Sequence, residues 1–133
     1  MKRIAIALVF LFEACSPGPR LLDYISLPPP QRVRAQITPE GLLISWKLPP
    51  DYLLARIEQF NVYVSRKSLL YSPLRSLPEP ACTAKKNQTR CLIRELPPWE
   101  HYFIHVRSQN PRGDLSLPSL PEIHLQPHRP SEK

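Results

Sequence analysis

The sequence predicts an all-β sandwich of short strands. Three observations carry that expectation. Apolar residues alternate with polar ones in short runs, the period-two pattern of half-buried strands. No segment holds a long helical period. Proline is abundant, 18 residues against 3 glycines. Each proline ring removes a backbone N–H and obstructs the preceding helical turn, so this density suits short strands joined by stiff loops.

The elements follow in chain order. A first, weaker strand covers Val33, Ala35 and Ile37. In "GLLISWK", Leu42, Ile44 and Trp46 point one way and Leu43, Ser45 and Lys47 the other. Pro49-Pro50-Asp51 ends that strand. Phe60, Val62 and Val64 then alternate with Asn61, Tyr63 and Ser65. The region from Leu69 to Pro80 is broken by prolines, and its register as a strand is open. Cys91 and Ile93 alternate in "RCLIREL". Tyr102, Ile104, Val106 and Ser108 share a face of "HYFIHVRSQ", and Ile123 and Leu125 end the pattern. Turn-separated short strands of this kind argue for a sandwich.

The chain ends read differently. Lys2 and Arg3 precede a short apolar run, Ile4 to Phe12, too short to span a bilayer as a helix. Residues 1–16 therefore read as a secretory signal peptide, with a cleavage site the residues leave unclear. The alternative is an ordinary buried strand in a cytoplasmic chain. Residues 17–27 read as a linker, 28–126 as the domain and 127–133 as a flexible tail. Asn87-Gln88-Thr89 is a glycosylation sequon, which fits export. Cys82 and Cys91 form an even pair suited to a disulfide, the alternative being two reduced thiols. Cys15 is the unmatched third.

Charge and motif content bound the function. The formal net charge is +7 and the pI about 9.7, which favours acidic partners. The sequence holds no Gly-rich phosphate loop, no His-Glu-x-x-His and no nucleophile elbow, so an enzyme is not expected, nor any cofactor. His101 and His105 share a strand face and could touch a metal. No third ligand is evident, and a solvated pair is the expectation.

From about Pro28 to Gln126 the chain resembles a fibronectin type III domain. Trp46 stands where that family keeps a core tryptophan, followed by a proline pair. "IEQFNVYV" is similar to its third strand, with Ile57, Phe60, Val62 and Val64 as core positions. Leu96-Pro97-Pro98-Trp99-Glu100-His101-Tyr102 matches the Leu-x-Pro-x-x-x-Tyr signature, which implies a tyrosine corner locking the inter-sheet crossing. "VRSQNPRGDLSLPS" looks like the family's Val-x-Ala-x-Asn-x-x-Gly-x-x-Ser run. The resemblance implies a seven-stranded antiparallel, immunoglobulin-like sandwich acting as a non-catalytic protein-interaction module.

The same frame puts Arg112-Gly113-Asp114 in the loop between the sixth and seventh strands, where the integrin-binding module of fibronectin carries that tripeptide. Asp114 would then coordinate an integrin's metal ion, Arg112 would enter an acidic pocket, and Gly113 would supply positive φ. A plain turn explains Gly113 equally well and leaves Asp114 as the residue in question.

Three other readings stay open. A soluble cytokine-receptor-like binder has the same sandwich and a Trp-Ser-x-Trp-Ser run, where this chain reads Leu115-Ser116-Leu117-Pro118-Ser119. It would use loops and the outer sheet face near Phe103, His105 and Arg107, which otherwise is solvated. A heparin-like glycan would meet Lys85, Lys86, Arg90 and Arg94. Nucleic acid is not expected, because no aromatic array interleaves those charges. Finally, the chain could be an intracellular adaptor or a fragment of a larger receptor.

Overall fold

The computed structural model describes residues 18–97 and 100–126. The candidate signal peptide, Cys15, Pro98, Trp99 and the tail lie outside the described residues.

Seven strands are described: β1 (Gln31–Thr38), β2 (Gly41–Lys47), β3 (Gln59–Ser65), β4 (Cys82–Lys85), β5 (Arg90–Ile93), β6 (Tyr102–Gln109) and β7 (Ile123–Leu125). A one-turn helix, α1 (Asp51–Leu54), follows the proline pair, and a 3-10 turn covers Leu74–Ser76. The strands form two antiparallel sheets, β1-β2-β5 and β4-β3-β6-β7. The expected seven-stranded sandwich is thus observed. Among the described residues no helix is long and apolar enough to cross a membrane.

The core lies where the period-two pattern puts it. Leu42, Ile44 and Trp46 of one sheet meet Phe60, Val62, Ile104 and Val106 of the other, all buried. The Trp46 and Phe60 rings sit 5.4 Å apart at 56°. Burial of such side chains contributes roughly 1.5–3 kcal/mol each, which makes this layer the main source of stability. Gly41 begins β2 at φ 144°, and a Cβ there would strike the Ile93 carbonyl. That close strand approach requires glycine.

The tyrosine corner is present. Tyr102 donates its hydroxyl proton to the Pro97 carbonyl at 2.8 Å, and Leu96 packs against the core. Burial raises the phenol's pKa, and the Glu100 carboxylate adds to the shift. The hydroxyl therefore stays a donor at neutral pH.

The proline-broken stretch is not a strand. Leu69 is buried, its amide donates to Glu122, and residues 74–80 lie beside Asn61 and Tyr63 on the outer face of the four-stranded sheet. Prolines that cannot donate to a ladder suit such a crossing connection. Chain re-enters the sheet at β4, whose Cys82 is disulfide-bonded to Cys91 of β5. The bond joins the edges of the two sheets.

The expectation of a solvated outer face is corrected. His105 is 1% exposed and Arg107 2%. The expected His101–His105 pair is corrected too. His101 is exposed and its Nδ1 lies 3.4 Å from Nε2 of His124, while His105, four residues on in β6, is buried. Phe103 stacks on the same His124 ring at 4.4 Å.

Candidate functional site

The segment from Asn110 to Ser119 is held by a dense set of side-chain hydrogen bonds. Asn110 organises its turn. Its side-chain oxygen accepts from the amides of Arg112 and Asp114, and its carbonyl accepts from Gly113 N. Gly113 sits at φ 86°, a region where other residues are strained. The Asp114 carboxylate is half-buried. It accepts from Arg20 N at 3.2 Å and from Asn110 Nδ2 at 3.1 Å. Arg112 is exposed. The tripeptide is thus brought together in the expected loop, with its acid engaged by its own chain.

That engagement fastens residues 20–22, expected in the linker, to the domain. Leu22 N donates to Leu115 O at 2.8 Å, and Leu115 N to Arg20 O at 2.9 Å. Leu27 is fully buried.

Beyond Leu115 the chain runs along β6 on side-chain bonds. The hydroxyl of Ser116 accepts from Ser108 N at 2.8 Å, and that of Ser119 from Val106 N at 2.9 Å. In return Ser116 N and Ser119 N donate to the carbonyls of Ser108 and Val106. The two serine oxygens replace strand carbonyls, so Pro118 and the Leu120–Pro121 bond interrupt the strand without leaving β6 amides unpaired. Arg107 Nη1 donates to the Ser116 carbonyl at 2.9 Å, and its Nε donates to His105 Nε2 at 3.2 Å. Burial lowers the pKa of His105 to about 3, and the neighbouring Arg107 charge pushes the same way. His105 is therefore neutral and an acceptor at Nε2. Beside it Gln59, Asn61 and Gln109 bond one another at 2.8–3.0 Å, which seals the polar outer face. These bonds hold structure.

This rigid segment supports an exposed apolar groove. Tyr24, Pro29, Pro30, Leu117, Pro118 and Leu120 line it, with Gln31 and Arg32 as its polar members. Tyr24 is 50% and Leu120 72% exposed, with Ile25 nearby at 79%. Sequence reasoning missed this groove. Its residues come from two distant segments with no shared period.

The expected basic cluster divides between sheets. Lys85 ends β4, Lys86 lies in the following turn, and Arg90 opens β5. Arg94 follows that strand. Asn87 is exposed in the β4–β5 turn, as a sequon requires. Register brings Arg34 into line with Arg90, since both pair with Ser45. Among the described residues no group of three metal-ligating side chains is found.

A family model for the fibronectin type III domain matches residues 28–124. No curated protein matches the chain. Among solved structures it is similar to the FN1–FN3 domains of chicken CNTN1, with a TM-score of 0.57 and 12% identity over 84% of this chain and 33% of that one. It is also similar to a family 28 exopolygalacturonase of Yersinia enterocolitica, with a TM-score of 0.51 and 18% identity over 77% of this chain and 21% of that one. The chain spans a third or less of both proteins, and at these identities the likeness is one of fold. Sandwich topology, tyrosine corner and family match agree: this chain belongs to the fibronectin type III family.

Proposed function

We propose that this chain is a non-catalytic, extracellular protein-interaction module that binds a cell-surface or matrix protein through the groove of Tyr24, Leu117 and Leu120. The exposure of these apolar side chains on a hydrogen-bonded support carries the reading. Aromatic and aliphatic anchors on a rigid base supply most binding energy at protein interfaces. Export is supported by the Cys82–Cys91 bond, because disulfides persist in oxidising compartments. The test expresses the full chain in secreting cells and captures cell-surface proteins with it after crosslinking. A partner retained by the native chain and lost by Tyr24→Ser/Leu120→Ser supports the reading. Equal capture by both, or an unprocessed chain in the cytosol, counts against it.

A second reading, integrin binding through Arg112, Gly113 and Asp114, is favoured by the exposure of Arg112 on this loop. An integrin metal ion would have to draw the Asp114 carboxylate from Arg20 and Asn110. Adhesion of cells to immobilised protein with divalent cation tests it, and equal adhesion to Asp114→Glu removes it. A cytokine-receptor-like mode would be confined to loops, since His105 and Arg107 are buried.

A further inference from the structure

We propose that the outer face of the β1-β2-β5 sheet binds a linear sulfated polysaccharide. The face is built by register. Arg34 and Arg90 lie directly opposite Ser45 on its two sides, so they flank it at two strand spacings, about 10 Å apart. Directly opposite residues share a face, and the alternation of β2 turns Leu42, Ile44 and Trp46 inward. Lys47 stands two residues along from Ser45 on the same outward side, about 7 Å away. The β1 bulge between Gln31 and Arg34 adds Arg32, which is exposed beside the partner of Lys47. Bulges re-aim side chains in this way.

The charge on this face is unopposed. The three strands contain no Asp or Glu. Among the described residues none of these four cations lies in an ion pair. A row of separated guanidinium groups suits repeated sulfates, which accept charge-assisted, bidentate hydrogen bonds.

Other polyanions fit less well. The one aromatic ring of these strands, Trp46, is buried at 5% exposure, and the exposed Tyr24 ring stands only at the Arg32 end, so bases find no run of stacking platforms between the arginines. Leu43 and Leu92 are half-buried and offer a bilayer no protruding anchor. The Cys82–Cys91 bond fits an oxidising exterior, where sulfated glycans are the polyanions to be met. The proposal rests on Arg34, Arg90 and Lys47 and not on the protein partner of the groove, which shares only Arg32 with this face.

The test measures binding of the full chain to a size-defined heparin oligosaccharide by calorimetry at 0.15 M salt. Arg34→Gln/Arg90→Gln should weaken binding roughly tenfold, the loss expected for two charge contacts. Lys85→Gln/Lys86→Gln removes the same charge from a different place and should change affinity by less than about threefold. Ser45→Glu keeps both arginines and sets a carboxylate between them, and it should abolish binding. Circular dichroism verifies that each variant is folded. Equal losses from the two double variants would mean that net charge alone is read, and would overturn the proposal. Binding of equal strength to single-stranded DNA or to phosphatidylserine vesicles would overturn it as well.

Discussion

The Arg107 guanidinium donates to the Ser116 carbonyl at 2.9 Å, and both residues are almost wholly buried. Ser116 in turn caps Ser108 N through its hydroxyl. Arg107 thereby holds the last segment of the domain against β6. Among the described residues no carboxylate pairs with it, so carbonyl and imidazole take the place of an acid. Arg107→Ala would orphan the carbonyl and remove a packed stem. The expected loss is about 2–4 kcal/mol, read from urea unfolding. Arg107→Met keeps the stem and should lose less. A change below about 0.5 kcal/mol in the alanine variant, typical of a surface site, would show that this bond does not hold the segment.

His105 should make stability depend on pH. Its folded pKa is pushed down to about 3 by burial, and Arg107 adds to the shift. The unfolded chain therefore takes up the proton first. Stability from the neutral ring is present above about pH 6.5 and falls as pH drops toward 3, with a slope approaching 1.4 kcal/mol per unit. Glu122 Oε2 stands 3.9 Å from Nδ1, beyond hydrogen-bond reach, and does not hold a charged ring in place. Denaturant midpoints between pH 7 and 4 give the slope, and His105→Gln should flatten it. An unchanged slope in that variant would assign the dependence to the carboxylates.

Much of this arrangement was legible in the sequence. Trp46, Phe60, Val62, Ile104 and Val106 announce the core by alternation alone, because one buried face imposes period two. Leu96 and Tyr102 announce the corner only through their resemblance to the family's signature. The outer face of the four-stranded sheet was not legible. His105 and Arg107 read as solvated because polar residues at alternate positions normally face water. They are buried against Tyr63, Glu122 and the Ser116 segment instead, and no local period encodes where a loop folds back. The groove of Tyr24 and Leu120 and the row of Arg34 and Arg90 escaped for the same reason. Their members meet only through long-range register. The integrin-type tripeptide was legible as a loop, but the Arg20 amide that meets Asp114 lies 94 residues away.

Asp114 should stabilise the arm before β1. Asp114→Ala removes acceptors for Arg20 N and Asn110 Nδ2, at an expected cost of about 1 kcal/mol. Hydrogen exchange offers the sharper measurement. The Arg20 amide should lose protection, and Leu22, which donates to Leu115, should follow if the arm opens as a unit. Protection at Arg20 equal to that of the native protein would mean the carboxylate is free for other work.

The Cys82–Cys91 bond should contribute measurably to stability. It ties β4 of one sheet to β5 of the other, and among the described residues neither has a strand neighbour on that side. With a sequence separation of 9, loop closure predicts about 2–3 kcal/mol of stabilisation through the unfolded state. The expected result for Cys82→Ser/Cys91→Ser is a melting temperature lower by roughly 10–20 °C, followed by circular dichroism. Reducing agent should lower the native protein to the same value and leave the variant unmoved. If reduction left the native midpoint unchanged, the bond would contribute no stability and the packing of Ile93 and Ala84 would suffice to hold the two edges.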